Sequence, residues 1–500
     1  MRKVVLGIDA GTSNVKSIAV TLDGAERFHA SRENEVLTPQ TGWAEQDMTA
    51  TWERTAETVR EVVASLGDDD EIIAVGVTGQ GDGCWLMDAD GEPVGNAILW
   101  SDGRAADIVR EWEANGTAAA IRDRCGCDLF PGAPVAILRW LADNEPGRYD
   151  GTDTAFACKD WIKYRLTDTV ATDPTEVGLP YLDLETDDYY DVDAVTGLDG
   201  VNGKLAPIVA PSEVVGRVTD AAAAATGIPV DTPVASGVFD VIASGYGSGA
   251  VRPGDSSSVV GTTSLNQTVL DGVPETLEGS GFTFSLGGGR YLRTFASMAG
   301  TPNVDWLSER LTAIEDLDEL EELAASVPPG AEGVLYHPYL SGSGERAPFL
   351  KTTARAQFVG LSPDHTRANV VRAVYEGVAL AMRDCFEYIP AESDRVLMSG
   401  GGTRSELWCQ MFSDCLDTPV SIPEGTEFGA KGVALLAAVA VGEFPDIETA
   451  VEETTTVERT YRPDPEAAET YDVWYDVYRE VYEAMFDVWD VRADALERMG

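Results

Sequence analysis

The first place where residue types and spacing suit chemistry is a polar turn between two apolar stretches near the start of the chain. Asp9 stands at its mouth, Gly11 allows a close backbone approach, and Thr12, Ser13 and Asn14 follow. Successive backbone N–H groups in such a turn can form a nest that binds polyphosphate. A single carboxylate beside the nest suits a hydrated Mg²⁺. An ordinary β-hairpin is the alternative, and this stretch alone leaves both open.

A second copy of the pattern lies in the other half of the chain. Residues 256–270 again have a strand-like run, a turn with Gly261 and Thr262, and a second strand-like run. We call these two turns, residues 11–14 and 261–263, the first and second clasp. Two clasps predict a duplicated architecture that holds a nucleotide between its halves. Since no G-x-x-x-x-G-K-[ST] motif occurs, the chain is not a P-loop enzyme, and the arrangement resembles the actin/hexokinase superfamily.

Polar side chains also follow two predicted strands of the first half. Gln80 and Asp82 lie among glycines after a buried strand, a favoured ligand position in α/β proteins, although a solvated glycine hairpin is the alternative. Asp102 and Arg104 follow the next strand and form either a local ion pair or contacts to a polyol. The loop at residues 42–47 is either the cap of the next helix or part of a pocket wall.

Further candidates lie after later strands. Asp240 follows a predicted strand at residues 233–236 and precedes a helix of small residues, so it is either an N-cap or a catalytic group, and local sequence favours the cap. Gly300 follows a strand of the second half. A strand also runs into Gly401 before a helix that starts near Ser405; such a step can hold an adenosine against the backbone, with a bare glycine turn as the alternative.

Composition limits the class of protein. Five hundred residues with 44% hydrophobic content predict two globular domains. The 85 acidic and 36 basic residues give a net charge of −49, which destabilises a compact state in dilute buffer but is screened near molar salt. We therefore hypothesise a halophilic source. The charge argues against nucleic acid as a partner, and the lack of a long apolar run or a signal peptide argues against a membrane and predicts a cytoplasmic protein.

Cysteines and histidines offer no metal centre and no histidine base. The odd number of seven cysteines predicts reduced thiols. Cys125 and Cys127, the only close pair, have no second pair or histidine near them, which argues against zinc. The three histidines lie outside the candidate motifs. The chemistry is therefore expected to rest on carboxylates.

Over essentially its whole length, the chain resembles the FGGY family of carbohydrate kinases. The first clasp matches Gly-x-Asp-x-Gly-Thr-x-x-x-Lys at Gly7, Asp9, Gly11, Thr12 and Lys16. The resemblance implies an α/β fold of two ribonuclease H-like domains of the actin/hexokinase superfamily, with the active site in the interdomain cleft. A second family signature is matched at Ala356, Phe358, Gly360, Leu361, Asn369, Val370, Ala373, Val374, Tyr375 and Glu376.

The same resemblance implies a division of the chain and of its work. We expect an N-terminal domain at residues 1–245 with the sugar site, the first clasp and the catalytic carboxylate. A C-terminal domain at residues 246–465 is expected to bind ATP. The aromatic residues spaced along 466–500 predict a helix that packs back on the N-terminal domain.

By resemblance, Asp240 is the catalytic base and a substrate contact, and Asp9 orders Mg²⁺ through water. The other expected substrate contacts are Gln80, Asp82, Asp102 and Arg104. The residues expected to hold ATP are Thr12, Ser13, Asn14, Lys16, Gly261, Thr262, Gly300, Gly401 and Ser405.

The loop at residues 80–82, which we call the substrate loop, bears on the class of substrate. Glycerol kinases of the family usually carry Arg-Glu where this chain has Gly81-Asp82, and the Met-His of D-specific xylulose kinases is also missing. Residues 42–45, 95–102 and 239–241 look most like kinases of L-xylulose type. The expected substrate is a ketopentose such as xylulose, with a polyol of erythritol, ribitol or glycerol type as the alternative. A sugar sensor without turnover and an actin-like filament are further alternatives, and a homodimer is considered.

Overall fold

A computed structural model describes residues 1–499 of the chain. The strands of the first half are β1 (Arg2–Ala10), β2 (Asn14–Thr21), β3 (Glu26–Glu33), β4 (Glu45–Gln46), β5 (Asp70–Gly79), β6 (Trp85–Met87), β7 (Ala97–Ile98), β8 (Thr154–Phe156), β9 (Leu182–Asp183), β10 (Asp188–Tyr189), β11 (Val214–Arg217) and β12 (Pro233–Ala235). Its helices are α1 (Met48–Ser65), α2 (Ala106–Asn115), α3 (Thr117–Cys125), α4 (Pro134–Asn144), α5 (Pro146–Gly151), α6 (Cys158–Thr167), α7 (Val192–Thr196), α8 (Asp220–Thr226) and α9 (Asp240–Ser248).

The strands of the second half are β13 (Asp255–Val260), β14 (Ser264–Asp271), β15 (Phe282–Gly287), β16 (Arg290–Ser297), β17 (Leu335–His337), β18 (Gln357–Val359), β19 (Arg395–Ser399), β20 (Val420–Pro423) and β21 (Val457–Tyr461). Its helices are α10 (Pro302–Trp306), α11 (Leu317–Ala325), α12 (Arg367–Glu387), α13 (Glu406–Leu416), α14 (Phe428–Ala440), α15 (Ile447–Thr454) and α16 (Pro465–Met499). Within residues 1–499, none of these helices pairs a bilayer-spanning length with a sufficiently apolar composition.

Each half builds its large sheet in the same way. The described residues form one sheet in the order β11-β12-β5-β1-β2-β3 and another in the order β15-β16-β14-β13-β19-β20-β21. In each sheet a clasp joins two antiparallel strands, β1 to β2 or β13 to β14. The strand before the clasp also pairs in parallel with a strand much later in the chain, β5 or β19. The predicted duplication around two clasps is therefore confirmed.

Helix α14 comes from the second half but packs on the sheet of the first. The Ala430 carbonyl oxygen lies only 1.9 Å from the position that a Cβ would take on Gly7. The Val433 carbonyl oxygen lies 2.0 Å from the same position on Gly76. Only glycine permits such close approach of a helix to β1 and β5. Helix α9 joins α14 in the same apolar cluster, so a division of the chain at residue 245 would part α14 from the sheet on which it packs.

The C-terminal helix α16 packs on the second half, and the expectation that residues 466–500 pack on the N-terminal domain is wrong. Tyr471 donates to Glu376 Oε1 at 2.9 Å, and Tyr475 donates to Asp384 Oδ1 at 2.7 Å. Both acids lie on α12 and are buried, so each tyrosine hydroxyl satisfies one oxygen of a buried carboxylate. Gly500 lies outside the described residues.

Candidate active site

Parallel strands bring three carboxylates to one edge of the first sheet. Strands β1 and β12 both pair in parallel with β5, so the carboxyl ends of the three strands lie together. Asp9 lies near the end of β1, Asp82 follows β5, and Asp240 follows β12. The charge of Asp9 raises the pKa of Asp240, and the charge of Asp240 raises the pKa of Asp82. The three predicted carboxylates therefore form one electrostatic group.

Asp9 is half-buried against the start of α14. A Cβ on Gly429 would lie 2.8 Å from Asp9 Oδ2, so glycine leaves room for the carboxylate. Burial raises the pKa of Asp9 to about 6, Lys16 opposes this shift and Glu427 adds to it. A bound cation would lower this pKa, and oxygen donors suit Mg²⁺. Within residues 1–499 no three His, Cys, Asp or Glu side chains gather as a metal site, so an ion here would depend on one or two carboxylates, water and phosphate.

The first clasp is tied to the substrate loop by a ring of hydrogen bonds. Thr12 Oγ1 donates to Gln80 Oε1 at 3.0 Å, and Gln80 Nε2 donates to Gln46 Oε1 at 2.6 Å. Gln46 Nε2 closes the ring by donating to the Thr12 carbonyl at 2.7 Å. The indole of Trp100 donates to Thr12 Oγ1 at 3.0 Å. The Thr12 hydroxyl is therefore turned towards Gln80 and Trp100, while the tip of the clasp, Ser13 and Asn14, is exposed.

The second clasp lies against two other glycine segments. Gly300 is buried beneath it, and a Cβ there would lie 2.3 Å from the Gly261 carbonyl oxygen and 2.8 Å from that of Thr262. A Cβ on Gly400 would lie 2.5 Å from the Val260 carbonyl oxygen. The glycines that follow β19 therefore lie beside the same clasp. Gly401 itself is exposed, and no other atom of residues 1–499 is found within 4 Å of its Cβ position. The bare backbone fits a flat ligand such as a nucleotide base or ribose.

Besides Thr12, two further expected ATP contacts already have partners in the protein. Lys16 Nζ lies 2.7 Å from Glu427 Oε2, so it links the first clasp to the residue before α14. Ser405 Oγ accepts the Trp408 N–H at 3.0 Å and thereby caps α13. Contacts of these two side chains with ATP stay predictions.

Asp102 and Arg104 form a buried ion pair, the first of the two interpretations of these residues. Arg104 Nε lies 2.9 Å from Asp102 Oδ1, and Arg104 Nη2 lies 2.6 Å from Glu45 Oε1. The Ala44 N–H donates to Asp102 Oδ2 at 2.6 Å, so both Asp102 oxygens are engaged. The guanidinium lies 3.8 Å from the centre of the Trp43 ring. Arg104 Nη1 is buried without a hydrogen-bond partner among the described residues, which leaves one donor for a substrate oxygen.

Asp82 lies on a tight loop against the residue before Asp240. Its φ of 55° is left-handed, and a Cβ on Gly81 would overlap the Phe239 ring at 1.5 Å. Burial raises the pKa of Asp82 to about 8, and the charge of Asp240 adds to the shift. At neutral pH the Asp82 carboxyl therefore carries a proton and can donate a hydrogen bond.

Asp240 is the first residue of α9, and its side chain does not cap the helix. The N–H groups of Ile242 and Ala243 donate instead to the Phe239 carbonyl at 3.1 and 3.0 Å. The local preference for an N-cap is therefore wrong, because the cap position falls one residue earlier. Burial and then the charge of Asp9 raise the pKa of Asp240 to about 7, against the N–H of Val241. A carboxylate that titrates near neutral pH suits a general base.

Family comparison settles the class of this protein. The N-terminal domain of the FGGY family of carbohydrate kinases matches residues 4–247, and the C-terminal domain matches residues 254–441. The chain belongs to the FGGY family of carbohydrate kinases. An erythritol kinase of Brucella abortus is 33% identical to this FGGY kinase, with 97% of each chain covered. The L-xylulose/3-keto-L-gulonate kinase of Escherichia coli is 29% identical, with 97% of this chain and 98% of its own covered.

Solved structures confirm the predicted fold class. The xylulose kinase from Rhodospirillum rubrum matches this FGGY kinase with a TM-score of 0.89 at 29% identity, over 97% of this chain and 100% of its own. The fold is thus the two-domain α/β fold of the actin/hexokinase superfamily. As a family member, this FGGY kinase is an ATP-dependent enzyme that phosphorylates an alcohol group of a sugar or polyol. The roles of its individual site residues stay predictions.

The loop at residues 42–47 holds functional candidates that sequence reasoning left unassigned. Asp47 caps α1, which confirms the first interpretation of this loop, and a role in a pocket wall stays a prediction. Gln46 is fully buried in the Thr12 ring, and Glu45 pairs with Arg104. The only sequence signal in this FGGY kinase is a polar pair between an aromatic residue and a helix cap.

Proposed function

We propose that this kinase transfers the γ-phosphate of ATP to a hydroxyl of a ketopentose such as xylulose, with Asp240 as the catalytic base. One observation carries the proposal. The Asp240 carboxylate begins a helix at the edge where β1, β5 and β12 end, and it is coupled to the carboxylates of Asp9 and Asp82. The family membership supplies the reaction, and this position supports the role of the residue.

Asp240 orients the attacking hydroxyl and receives its proton. Phosphoryl transfer passes through a loose transition state, so the proton is needed only late and a carboxylate suffices. A pKa of about 7 makes the carboxylate a usable acceptor at neutral pH. Phe239, the residue before it, is buried against the substrate loop, which helps to exclude water from the attacking group.

The sugar is held by donors as well as acceptors. Arg104 Nη1 and the protonated Asp82 carboxyl can donate to carbonyl or hydroxyl oxygens. The side-chain amide of Gln80 lies on the same loop as Asp82 and is held by hydrogen bonds to Gln46 and Thr12. Asp102 acts indirectly, because it fixes the Arg104 guanidinium. Two donors beside a base suit the carbonyl and the neighbouring hydroxyls of a ketose.

The nucleotide would lie on the two clasps. Mg²⁺, when bound, neutralises charge on the β- and γ-phosphates, and Asp9 is suited to hold it through water. Ser13, Asn14 and the backbone of the first clasp face the phosphates in this proposal. The second clasp with Gly300 and Gly401 faces the nucleoside. We also propose a cytoplasmic location and leave a homodimer as a prediction for light scattering.

A polyol substrate is the second candidate. The observation that favours it is the 33% identity to an erythritol kinase over 97% of both chains. A polyol offers hydroxyl oxygens to the same two donors, Arg104 and Asp82.

A coupled ADP-release assay tests the proposal. The panel contains D- and L-xylulose, erythritol, ribitol, glycerol and gluconate, in about 2 M salt to screen the negative surface. The highest kcat/KM with a xylulose supports the ketopentose, and the highest kcat/KM with erythritol replaces it by the polyol. Sugar binding by calorimetry without turnover of any compound would contradict both.

A further inference from the structure

The segment from Ser236 to Phe239 joins β12 to α9 and so determines where Asp240 points. Gly237 adopts a left-handed φ of 79°, and a Cβ there would lie 2.1 Å from the Val77 carbonyl oxygen. The backbone therefore turns tightly against β5 before the helix starts. A small shift of this corner would move the Asp240 carboxylate directly, because Asp240 is the next residue.

Three buried side chains hold the corner. Lys163 Nζ donates to the Ser236 carbonyl at 2.7 Å, and Thr78 Oγ1 donates to the Val238 carbonyl at 2.7 Å. The Phe239 N–H donates to Thr175 Oγ1 at 2.9 Å. Of the three, Thr175 acts on the residue next to Asp240, across 64 positions of the chain.

Thr175 is itself fixed by a buried charge. Its hydroxyl donates to Asp173 Oδ1 at 2.5 Å, and its N–H donates to the same oxygen at 2.9 Å. Asp173 Oδ2 lies 2.5 Å from Lys159 Nζ. Thr175, Asp173 and Lys159 all have 0% exposure. Because the Thr175 hydroxyl spends its proton on Asp173 Oδ1, its oxygen is left to accept the Phe239 N–H.

This buried group also borders the substrate loop. A cavity of about 30 Å³ is lined by Asp82 on the loop side and by Asp160 and Glu176 on the other. Asp160 Oδ1 bonds Lys159 at 2.6 Å. The charge network behind Thr175 therefore reaches the cavity that Asp82 also lines.

We propose that Thr175 is a positioning residue for the kinase reaction, acting through the Phe239 N–H on the aim of the Asp240 carboxylate. The inference rests on the proposed role of Asp240. Loss of the Thr175 hydroxyl frees the corner and leaves the Phe239 N–H without its acceptor. A misplacement of about 1 Å in a catalytic group costs on the order of 100-fold in rate. The nucleotide contacts are unaffected, so kcat falls while the KM for ATP stays.

The test compares substitutions at Thr175 that differ in hydrogen bonding. Thr175→Val keeps the shape and removes both hydrogen bonds, Thr175→Ser keeps both, and Thr175→Cys offers only a weak donor and acceptor. Thr55→Val is the matched control, since Thr55 is equally buried and its hydroxyl bonds only the Thr51 carbonyl, in α1. Each variant is checked by thermal melting and then assayed for kcat and both KM values.

We expect kcat to fall about 30- to 100-fold in Thr175→Val, while the KM for ATP stays within about twofold of wild type. In Thr175→Ser and Thr55→Val, kcat should stay within about threefold of wild type. If Thr175→Val does not fold, a lower kcat in Thr175→Cys than in Thr175→Ser is required. A wild-type kcat in Thr175→Val or Thr175→Cys, or an equal loss in Thr175→Ser, overturns the inference. Turnover by Asp240→Asn would instead overturn the proposed function, so the two failures are distinguishable.

Discussion

Asp240→Asn removes the proposed catalytic base and also removes a half-buried negative charge. Its effect on turnover and its effect on stability can therefore be measured separately. The amide has nearly the same shape but cannot accept the proton of the attacking hydroxyl. General-base catalysis contributes about 10²- to 10⁴-fold, so we expect kcat to fall about 10³-fold. The clasps do not contain Asp240, and nucleotide affinity should stay within about threefold, because the variant removes no proposed nucleotide contact.

The same substitution should stabilise the fold at alkaline pH. The pKa of Asp240 rises from 3.8 to about 7, so the folded state binds a proton that the unfolded state releases between these values. This contribution is complete below pH 3.8 and is lost as pH rises through about 7. A shift of about 3 pKa units is at most about 4 kcal/mol. Because Asp240 is only half-buried, solvent screening reduces this, and we expect about 1–2 kcal/mol.

Two measurements check the reasoning together. Coupled ADP release gives kcat, and thermal melts at pH 5 and pH 8 in equal salt give the stability difference. Asp240→Asn should melt about 1–2 °C above wild type at pH 8, with a smaller difference at pH 5. Asp220→Asn is the matched control, because Asp220 also begins a helix but is exposed. Near-normal turnover would refute the assignment of the base, and no gain in melting temperature at pH 8 would refute its electrostatics.

The remaining predictions concern pH, the metal and salt. The kcat/KM should rise with pH through about 7 as Asp240 loses its proton and decline above about 8 as Asp82 loses its own, and a flat profile between about pH 5.5 and 8.5 would contradict this. Gly429→Ala should raise the Mg²⁺ concentration needed for half-maximal rate several-fold, because the new Cβ would lie 2.8 Å from Asp9 Oδ2. Gly147→Ala is the control and should leave this concentration unchanged, since no described atom lies within 4 Å of the Cβ position on Gly147. Dialysis into low salt should unfold the protein by circular dichroism, and an unchanged spectrum below about 0.2 M would reject the halophilic hypothesis.

Local patterns were sufficient for the clasps and for the cap of α1. A short polar turn between two apolar runs predicts that the two runs pair as an antiparallel hairpin. Asp9 indeed pairs with Lys16 across the first hairpin. Asp47 caps α1 by accepting two backbone N–H groups, as its position before a helical repeat indicates. These features depend on neighbours within a few residues, which a sequence displays directly.

Features that join distant parts of the chain could not be predicted in this way. The ring of Thr12, Gln46 and Gln80 joins three loops that only the sheet brings together. The docking of α16 depends on Glu376 and Asp384, about a hundred residues earlier. Asp240 looked like a cap because a shift of one residue in the helix start changes its role, and that start is set by the backbone.

The packing of α14 on the first sheet limits how the chain can be divided into two pieces. Their sheets repeat each other in strand order, yet Ala430 and Val433 fill grooves opened by Gly7 and Gly76 in the opposite repeat. A fragment ending at residue 245 would leave those grooves bare and expose an apolar face to water. The repeats are therefore no longer interchangeable modules, and any two-piece version of the enzyme has to supply residues 428–440 to its first piece.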